Sequence, residues 1–150
     1  QIAICLAIIA ALFVVLLLIC FKLRAPDFGA GGVLAKGVFG IYLGWVSTAM
    51  LVNLAVLLRA ANVDLGNNES IFGAAMALIA AGFGIFASVG LRNQFVPVAI
   101  AWGLTAIAVK QSGKTIVVAA CAVGVVACLI AALSFVVRLP SSAEKSGDRI

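Results

Sequence analysis

The sequence predicts an all-α integral membrane protein, a bundle of five transmembrane helices with little outside the bilayer. Of its 150 residues, 65% are hydrophobic and only 10% are charged, whereas a soluble domain is about half apolar and a quarter charged. Five apolar stretches alternate with short polar segments that hold nearly all of the charges. A water-soluble surface cannot be built from this composition, so the bilayer is the expected solvent for most of the outer surface.

The first two spans are predicted at residues 2–21 and 37–58. The first holds twenty residues without a charge, and a helix of that length crosses roughly 30 Å of hydrocarbon. The connection that follows has a break at Ala25-Pro26-Asp27 and several glycines before Lys36, which predicts a flexible loop. Arg59 ends the second span.

The other three spans are predicted at residues 71–91, 95–109 and 115–137. Turn-forming residues at 62–70 separate the second and third spans. The fourth span is shorter than the usual transmembrane range of roughly 17–25 residues, although Pro97 in its first turn suits the start of a helix. We therefore expect one transmembrane domain over residues 1–140, followed by a polar tail over residues 141–150.

The basic residues indicate that the fourth span crosses the membrane. Cytoplasmic loops collect Lys and Arg, and each crossing alternates the side. With five crossings the two sides hold seven and three basic residues, and with four they hold six and four. Five crossings, with the N-terminus outside and the C-terminus inside, are therefore preferred. The side predicted to be inside holds Lys22, Arg24, Lys36, Arg92, Arg138, Lys145 and Arg149, and the other holds Arg59, Lys110 and Lys114.

The absence of certain residue types from the predicted spans argues against several classes of function. They contain no Asp, Glu or His, and ionisable residues inside the membrane are the usual mark of proton relays, ion pathways and metal centres. A nucleophilic Ser or Cys would have no base beside it. The four cysteines form no CxxC pair and the chain has no His, so no metal site is expected. We predict a protein that is not an enzyme and, with dispersed basic charge, does not bind nucleic acid.

One face of the second span carries glycines. At about 100° per residue, Gly37, Gly40 and Gly44 gather on the same side of the helix. Gly40 and Gly44 form a GxxxG pattern, which lets a neighbouring backbone approach closely. Packing between helices of one chain is the preferred interpretation, and the seam of a dimer is the alternative.

The opposite face of the second span carries Tyr42, Trp45 and Asn53. Polar groups of this kind are costly to leave unpaired against lipid, so they are expected to line a cavity or to form hydrogen bonds between helices. Alternatively, Tyr42 and Trp45 belong to an aromatic belt at the membrane surface near Lys36. Trp102 in the fourth segment and Asn93 at its start are further candidates for the cavity, although an Asn at the start of a helix is more often a cap than a ligand contact.

Two segments resemble a known family. They are GIYLGWVSTA (Gly40 to Ala49) with Asn53 after it, and Asn93 followed by VAIAWGLTAIAVK (Val98 to Lys110). They are similar to the divergent branch of the tryptophan-rich sensory protein family, also called translocator or TspO/MBR proteins. Members are five-helix bundles, often dimeric, implicated in binding tetrapyrroles and sterol-like ligands between helices. The resemblance implies that Tyr42, Trp45 and Asn53 face such a cavity.

The sequence supports two hypotheses of function. The first is a translocator-like protein that binds a small hydrophobic, tetrapyrrole or sterol-like ligand without turning it over, at a site lined by Tyr42, Trp45, Asn53 and Trp102. No cofactor is assigned, and a tetrapyrrole, pigment or lipid would have to be held without histidine. The second is an accessory structural subunit of a respiratory or photosynthetic complex, because the loops are short and catalytic groups are missing. The expected partners are membrane lipids and either a second copy or a larger membrane complex.

Overall fold

Five α-helices make up the computed structural model, which describes residues 1–24, 29–61 and 68–137. No strand occurs in these three ranges, and the predicted all-α fold of five helices is confirmed. The break at Ala25-Pro26-Asp27, the turn at residues 62–67 and the tail at residues 141–150 lie outside the described ranges. In chain order the helices are α1 (Ile2–Lys22), α2 (Gly29–Ala60), α3 (Glu69–Gly90), α4 (Phe95–Lys110) and α5 (Thr115–Val137).

Four of the helices, α1, α2, α3 and α5, are long and apolar enough to cross a membrane. The second helix is longer than predicted, because it begins at Gly29, about two turns before Gly37. The glycines of this segment were expected to keep it flexible. Each glycine costs a helix only about 1 kcal/mol relative to Ala, whereas an unpaired backbone group in an apolar environment costs several times that. The segment from Gly29 therefore forms a helix in spite of its glycines.

The shortest helix, α4, occupies the middle of the bundle. It packs against α2, α3 and α5, and the side chains of Val96, Ile100 and Leu104 are completely buried. Its 16 residues span about 24 Å. Because neighbouring helices cover most of its surface, α4 needs less lipid contact than the outer helices.

Small residues let the helices approach closely, as is usual in membrane bundles. The buried residues of α3 are all Ala, Gly or Ser. Gly124 on α5 lies against both α3 and α4, and a Cβ atom placed on it would be 2.8 Å from Leu104 Cδ1 and 3.1 Å from Ala81 Cβ. A larger side chain at this position would push α5 away from the other two helices.

The two ends of the bundle differ in the interactions that join the helices. At one end, which we call the amide end, the side chain of Asn93 before α4 contacts the N-terminal half of α2. At the other, which we call the salt-bridge end, Glu69 at the start of α3 pairs with Arg59 near the end of α2. Helix α1 packs mainly on α2. Its Leu16 and Cys20 are almost fully buried towards the amide end, whereas the described side chains of residues 3–11 are only partly buried or exposed.

Candidate functional site

A partly open cavity of about 480 Å³ lies between α2, α3 and α4 at the salt-bridge end. Pockets that bind small molecules usually measure roughly 300–1,000 Å³, so this cavity has the size of a ligand site. Most of its wall is aliphatic or aromatic. Residues of this wall include Leu51, Ala55, Phe72, Met76, Ala80 and Ile107.

The cavity exists because α2 and α3 make few contacts with each other. Towards the amide end the space beside them is filled by α1, whose Phe13 ring packs on Phe83 of α3 with the centroids 5.4 Å apart. Among the described residues that line the cavity, none comes from α1. The C-terminal half of α1 therefore fills the space beside α2 and α3 at the amide end, and its N-terminal half leaves that space open at the salt-bridge end.

Four charged side chains line the mouth of the cavity: Arg59, Glu69, Lys110 and Lys114. The two carboxylate oxygens of Glu69 bind different cations, Oε1 pairing with Arg59 Nη1 at 3.1 Å and Oε2 with Lys114 Nζ at 3.2 Å. One carboxylate thus joins the ends of α2 and α3 to the residue before α5. With three basic and one acidic residue, the described part of the mouth has an excess of positive charge.

Away from the mouth, the cavity offers few polar groups. Among the lining residues that the structure describes, Thr48 has the one hydroxyl, and this hydroxyl donates to the Gly44 carbonyl oxygen in its own helix at 3.1 Å. A ligand in the deeper part would therefore meet carbon atoms on nearly every side. Polar recognition is confined to the mouth.

The glycines of α2 face α4 and the turn before it. A Cβ atom on Gly44 would be 2.7 Å from both Ala99 Cβ and the Val96 carbonyl oxygen, and one on Gly40 would be 2.5 Å from Asn93 Oδ1. For Gly37 the nearest atoms belong to the Phe95 ring, at 3.7 Å. These contacts are made to α4 and to the turn before it in the same chain.

Asn93 is held between α2 and α4. Its side chain is 2% exposed in relative terms, its Nδ2 donates to the Lys36 carbonyl oxygen at 2.9 Å, and its Oδ1 accepts from the Phe95 amide at 3.0 Å. The second bond satisfies the backbone amide of the first residue of α4, which is the alternative to a cavity role that the sequence allowed for Asn93, and Asn93 does not line the cavity. The preceding residue, Arg92, has a φ of 50°, an uncommon left-handed conformation that turns the chain sharply at this corner.

The three aromatic residues predicted to line the ligand site lie on the outer surface. Tyr42 is 48% exposed, Trp45 45% and Trp102 69%, and none of them lines the cavity. The fourth predicted residue, Asn53, is partly buried, and its Nδ2 donates to the Ala49 carbonyl oxygen at 2.9 Å. It does not line the cavity either.

Trp45 and Trp102 nevertheless share one side of the bundle. The two helices run in the same direction, because Gly40 faces Asn93 while the later residue Thr48 faces Gly103. Trp45 is the residue after Gly44, and Trp102 is the residue before Gly103. Because each residue advances a helix by about 100°, each tryptophan is rotated by that angle away from the line along which α2 and α4 touch, and the two rotations have opposite directions. Because the two helices are parallel and face each other, opposite rotations bring both tryptophans to the same outer side of the helix pair.

The match to a family model, described as TSPO-like protein, extends over residues 1–135. The chain belongs to the TSPO-like protein family. Comparison with curated proteins and comparison with solved structures each gave no match. The matched range contains the cavity and the aromatic residues of α2 and α4. As a TSPO-like protein with four long apolar helices, the chain is a membrane protein of the translocator type.

Sequence reasoning missed the charged mouth of the cavity in this TSPO-like chain. It interpreted Arg59, Lys110 and Lys114 only as the boundaries of spans and gave Glu69 no role. Alternation of the spans does place these four residues at the same end of the bundle. Their convergence on one opening depends on which helices pack together, and no local pattern in the sequence shows that.

Proposed function

We propose that this TSPO-like protein binds a small hydrophobic ligand in the cavity between α2, α3 and α4. The observation that carries the proposal is a cavity of about 480 Å³ with apolar walls and its polar groups at the mouth. Sites for small molecules combine such walls with a few polar groups that orient the ligand. The tetrapyrroles and sterol-like molecules that the family resemblance implies are mostly apolar and suit this lining.

The ligand is bound and not chemically changed. Nucleophilic catalysis needs a hydroxyl, thiol or amine beside a general base. Among the lining residues, the hydroxyl of Thr48 already donates within its own helix, and the carboxylate of Glu69 is paired with two cations. This arrangement favours binding or transport of a ligand over a reaction.

Filling the cavity tests this proposal. Ala55→Phe places a ring at the cavity wall, and Ala75→Phe, on the exposed face of α3, is the matched control. Binding of a porphyrin and of a sterol to the purified protein in lipid nanodiscs is measured for both variants. We expect Ala55→Phe to weaken binding of at least one of the two by about tenfold or more and Ala75→Phe to leave it unchanged. Unchanged affinity in Ala55→Phe, with helical content retained, would contradict the proposal.

The outer face formed by Tyr42, Trp45 and Trp102 is a second candidate for the ligand site. Aromatic belts lie near the membrane surfaces, whereas both tryptophans are near the middle of their helices. Their exposure away from the helix ends favours contact with a bound molecule. The variants Trp45→Phe and Trp102→Phe separate the two candidate sites, because a ligand in the cavity is indifferent to them and a ligand on the outer face loses affinity.

We also infer that the cavity opens on the outer side of the membrane. The seven-to-three division of basic residues favours the amide end as the inner side. Arg59, Lys110 and Lys114 would then line an opening on the less basic outer side. A ligand would reach the site from that side or from the outer leaflet of the bilayer.

A further inference from the structure

The charges at the cavity mouth point to a chemical class of ligand. We propose that the ligand is an amphiphile with an acidic group, and that this group binds Lys110, Lys114 and Arg59 in place of the carboxylate of Glu69. This inference rests on the proposed function and makes it more specific. It selects acidic over neutral ligands among the hydrophobic molecules that the cavity could hold.

The first support is the surplus of cations among the described residues of the mouth. Glu69 pairs with Arg59 and Lys114, and Lys110 lines the same opening without a salt bridge to any residue in the described ranges. The side chain of Lys114 is 34% exposed and that of Arg59 is 83% exposed, so the ammonium of Lys114 is the better shielded from water. Electrostatic attraction is stronger where water is partly excluded, which makes Lys114 the principal anchor.

The second support is that a carboxylate already occupies this position. Glu69 binds a guanidinium and an ammonium at once, at 3.1 and 3.2 Å, which shows that the two cations are close enough together to share one acidic group. Glu69 is itself 46% exposed, and salt bridges between exposed side chains contribute little to stability. A ligand carboxylate can therefore replace Glu69 at small cost, after which Glu69 faces the solvent.

The third support is the separation of polar and apolar groups along the cavity. Lining residues extend from Arg59 back to Thr48 on α2 and from Glu69 forward to Ala80 on α3, about 16 Å along each helix. All of the charged groups are at one end of this length. A molecule with a long apolar body and one acidic end matches both the apolar lining and the position of the charged groups at one end of it.

A carboxylate on a free amphiphile and the phosphate of an anionic lipid share this chemistry. The two sources differ in how they respond to the bilayer. Adding phosphatidylglycerol to phosphatidylcholine nanodiscs displaces an acidic probe if anionic lipid is the natural occupant. It has no effect if the site takes free amphiphiles. Both sources place an acidic group at the mouth, and the probe experiment that follows tests for that group.

The test uses a matched pair of probes, the fluorescent polyene fatty acid parinaric acid and its methyl ester. Binding to the full chain is measured in phosphatidylcholine nanodiscs. We expect the acid to bind about tenfold more tightly than the ester, and the double variant Lys110→Gln/Lys114→Gln to remove this preference. Glu69→Gln should strengthen acid binding several-fold, because it removes the competing carboxylate. Lys22→Gln, which removes one charge at the amide end, is the control and should change neither affinity.

The outcomes separate this inference from the proposed function. Equal binding of acid and ester, both weakened by Ala55→Phe, overturns the acidic anchor and leaves the cavity proposal intact. Acid binding of unchanged affinity in Ala55→Phe, or a preference for the acid that survives in the double lysine variant, places the acid elsewhere and also overturns the anchor. If neither probe nor any porphyrin or sterol binds, the proposed function itself fails.

Discussion

Asn93 and Lys36 are joined by a hydrogen bond of 2.9 Å, from the carboxamide Nδ2 of Asn93 to the backbone carbonyl oxygen of Lys36, although 57 positions separate them in the chain. Because the same carboxamide accepts from the Phe95 amide, one buried side chain ties the start of α4 to α2. This contact holds the amide end of the bundle together. At the salt-bridge end the described links between helices include the exposed ion pairs of Glu69.

Replacing Asn93 with Ala should destabilise the protein substantially. The change removes both hydrogen bonds and leaves the partly buried Phe95 amide without its acceptor, which costs about 1–3 kcal/mol. Unfolding by titration with a denaturing detergent measures the loss. The neighbouring variant Gln94→Ala is the control, since no side-chain hydrogen bond of Gln94 occurs among the described residues. An equal loss in both variants would show that Asn93 has no special role.

The contact between α2 and α4 should tolerate no added methyl group at Gly44. A Cβ atom there would be 2.7 Å from the Val96 carbonyl oxygen, a backbone atom that cannot turn aside. We expect Gly44→Ala to cost about 1–3 kcal/mol, as overpacking does. In Gly82→Ala the new Cβ atom meets nothing within 4 Å, so this control should be neutral or gain up to about 1 kcal/mol. Similar stabilities of the two variants would contradict the structure of this contact.

Removing the charge of Glu69 should scarcely affect stability. Both of its ion pairs are partly exposed, and such pairs contribute about 0–1 kcal/mol. The midpoint of unfolding of Glu69→Gln in detergent is therefore expected to stay close to that of the parent protein. A loss as large as that of Asn93→Ala would mean that Glu69 is a structural link and not a displaceable group.

The orientation of the chain can be tested with engineered cysteines. Ser112→Cys lies in the exposed turn between α4 and α5, at the salt-bridge end. Arg24→Cys lies at the opposite end, just after α1. Both variants carry Cys5→Ser, because the native Cys5 thiol is exposed. A maleimide reagent that cannot cross membranes should then label Ser112→Cys in intact cells and Arg24→Cys only after the cells are opened. The reverse pattern would invert the proposed topology and place the cavity mouth on the inner side.

The number and order of helices could be predicted because they depend on local composition. Apolar runs of sufficient length, bounded by residues such as Lys22 and Lys110, are enough to identify a span. The start of α2 was missed because glycines lower helix propensity locally, and the need to pair backbone groups outweighs that effect. Local composition therefore predicts the positions of the spans well, and the residues at which the helices begin and end less well.

The sequence predicts which residues share one face of a helix better than it predicts which neighbouring helix packs against that face. The periodicity of α2 separates Gly40 and Gly44 from Tyr42 and Trp45, and the structure keeps these two sets apart. Periodicity cannot say which neighbour covers a face. The cavity depends on the sparse contact between α2 and α3 and on the partial cover that α1 provides, and both arise from packing between distant segments.

The packing of α2 on α4 and the lining of the cavity place different demands on the sequence. At Gly44 and Gly103 the helices touch so closely that an added methyl group would collide with its neighbours. Leu51, Ala55 and Met76, by contrast, are partly buried residues that border open space. Mutations in this second group can reshape the cavity while the helices keep their positions. Ligand preference can thus change in the course of evolution at positions that the fold leaves free to vary.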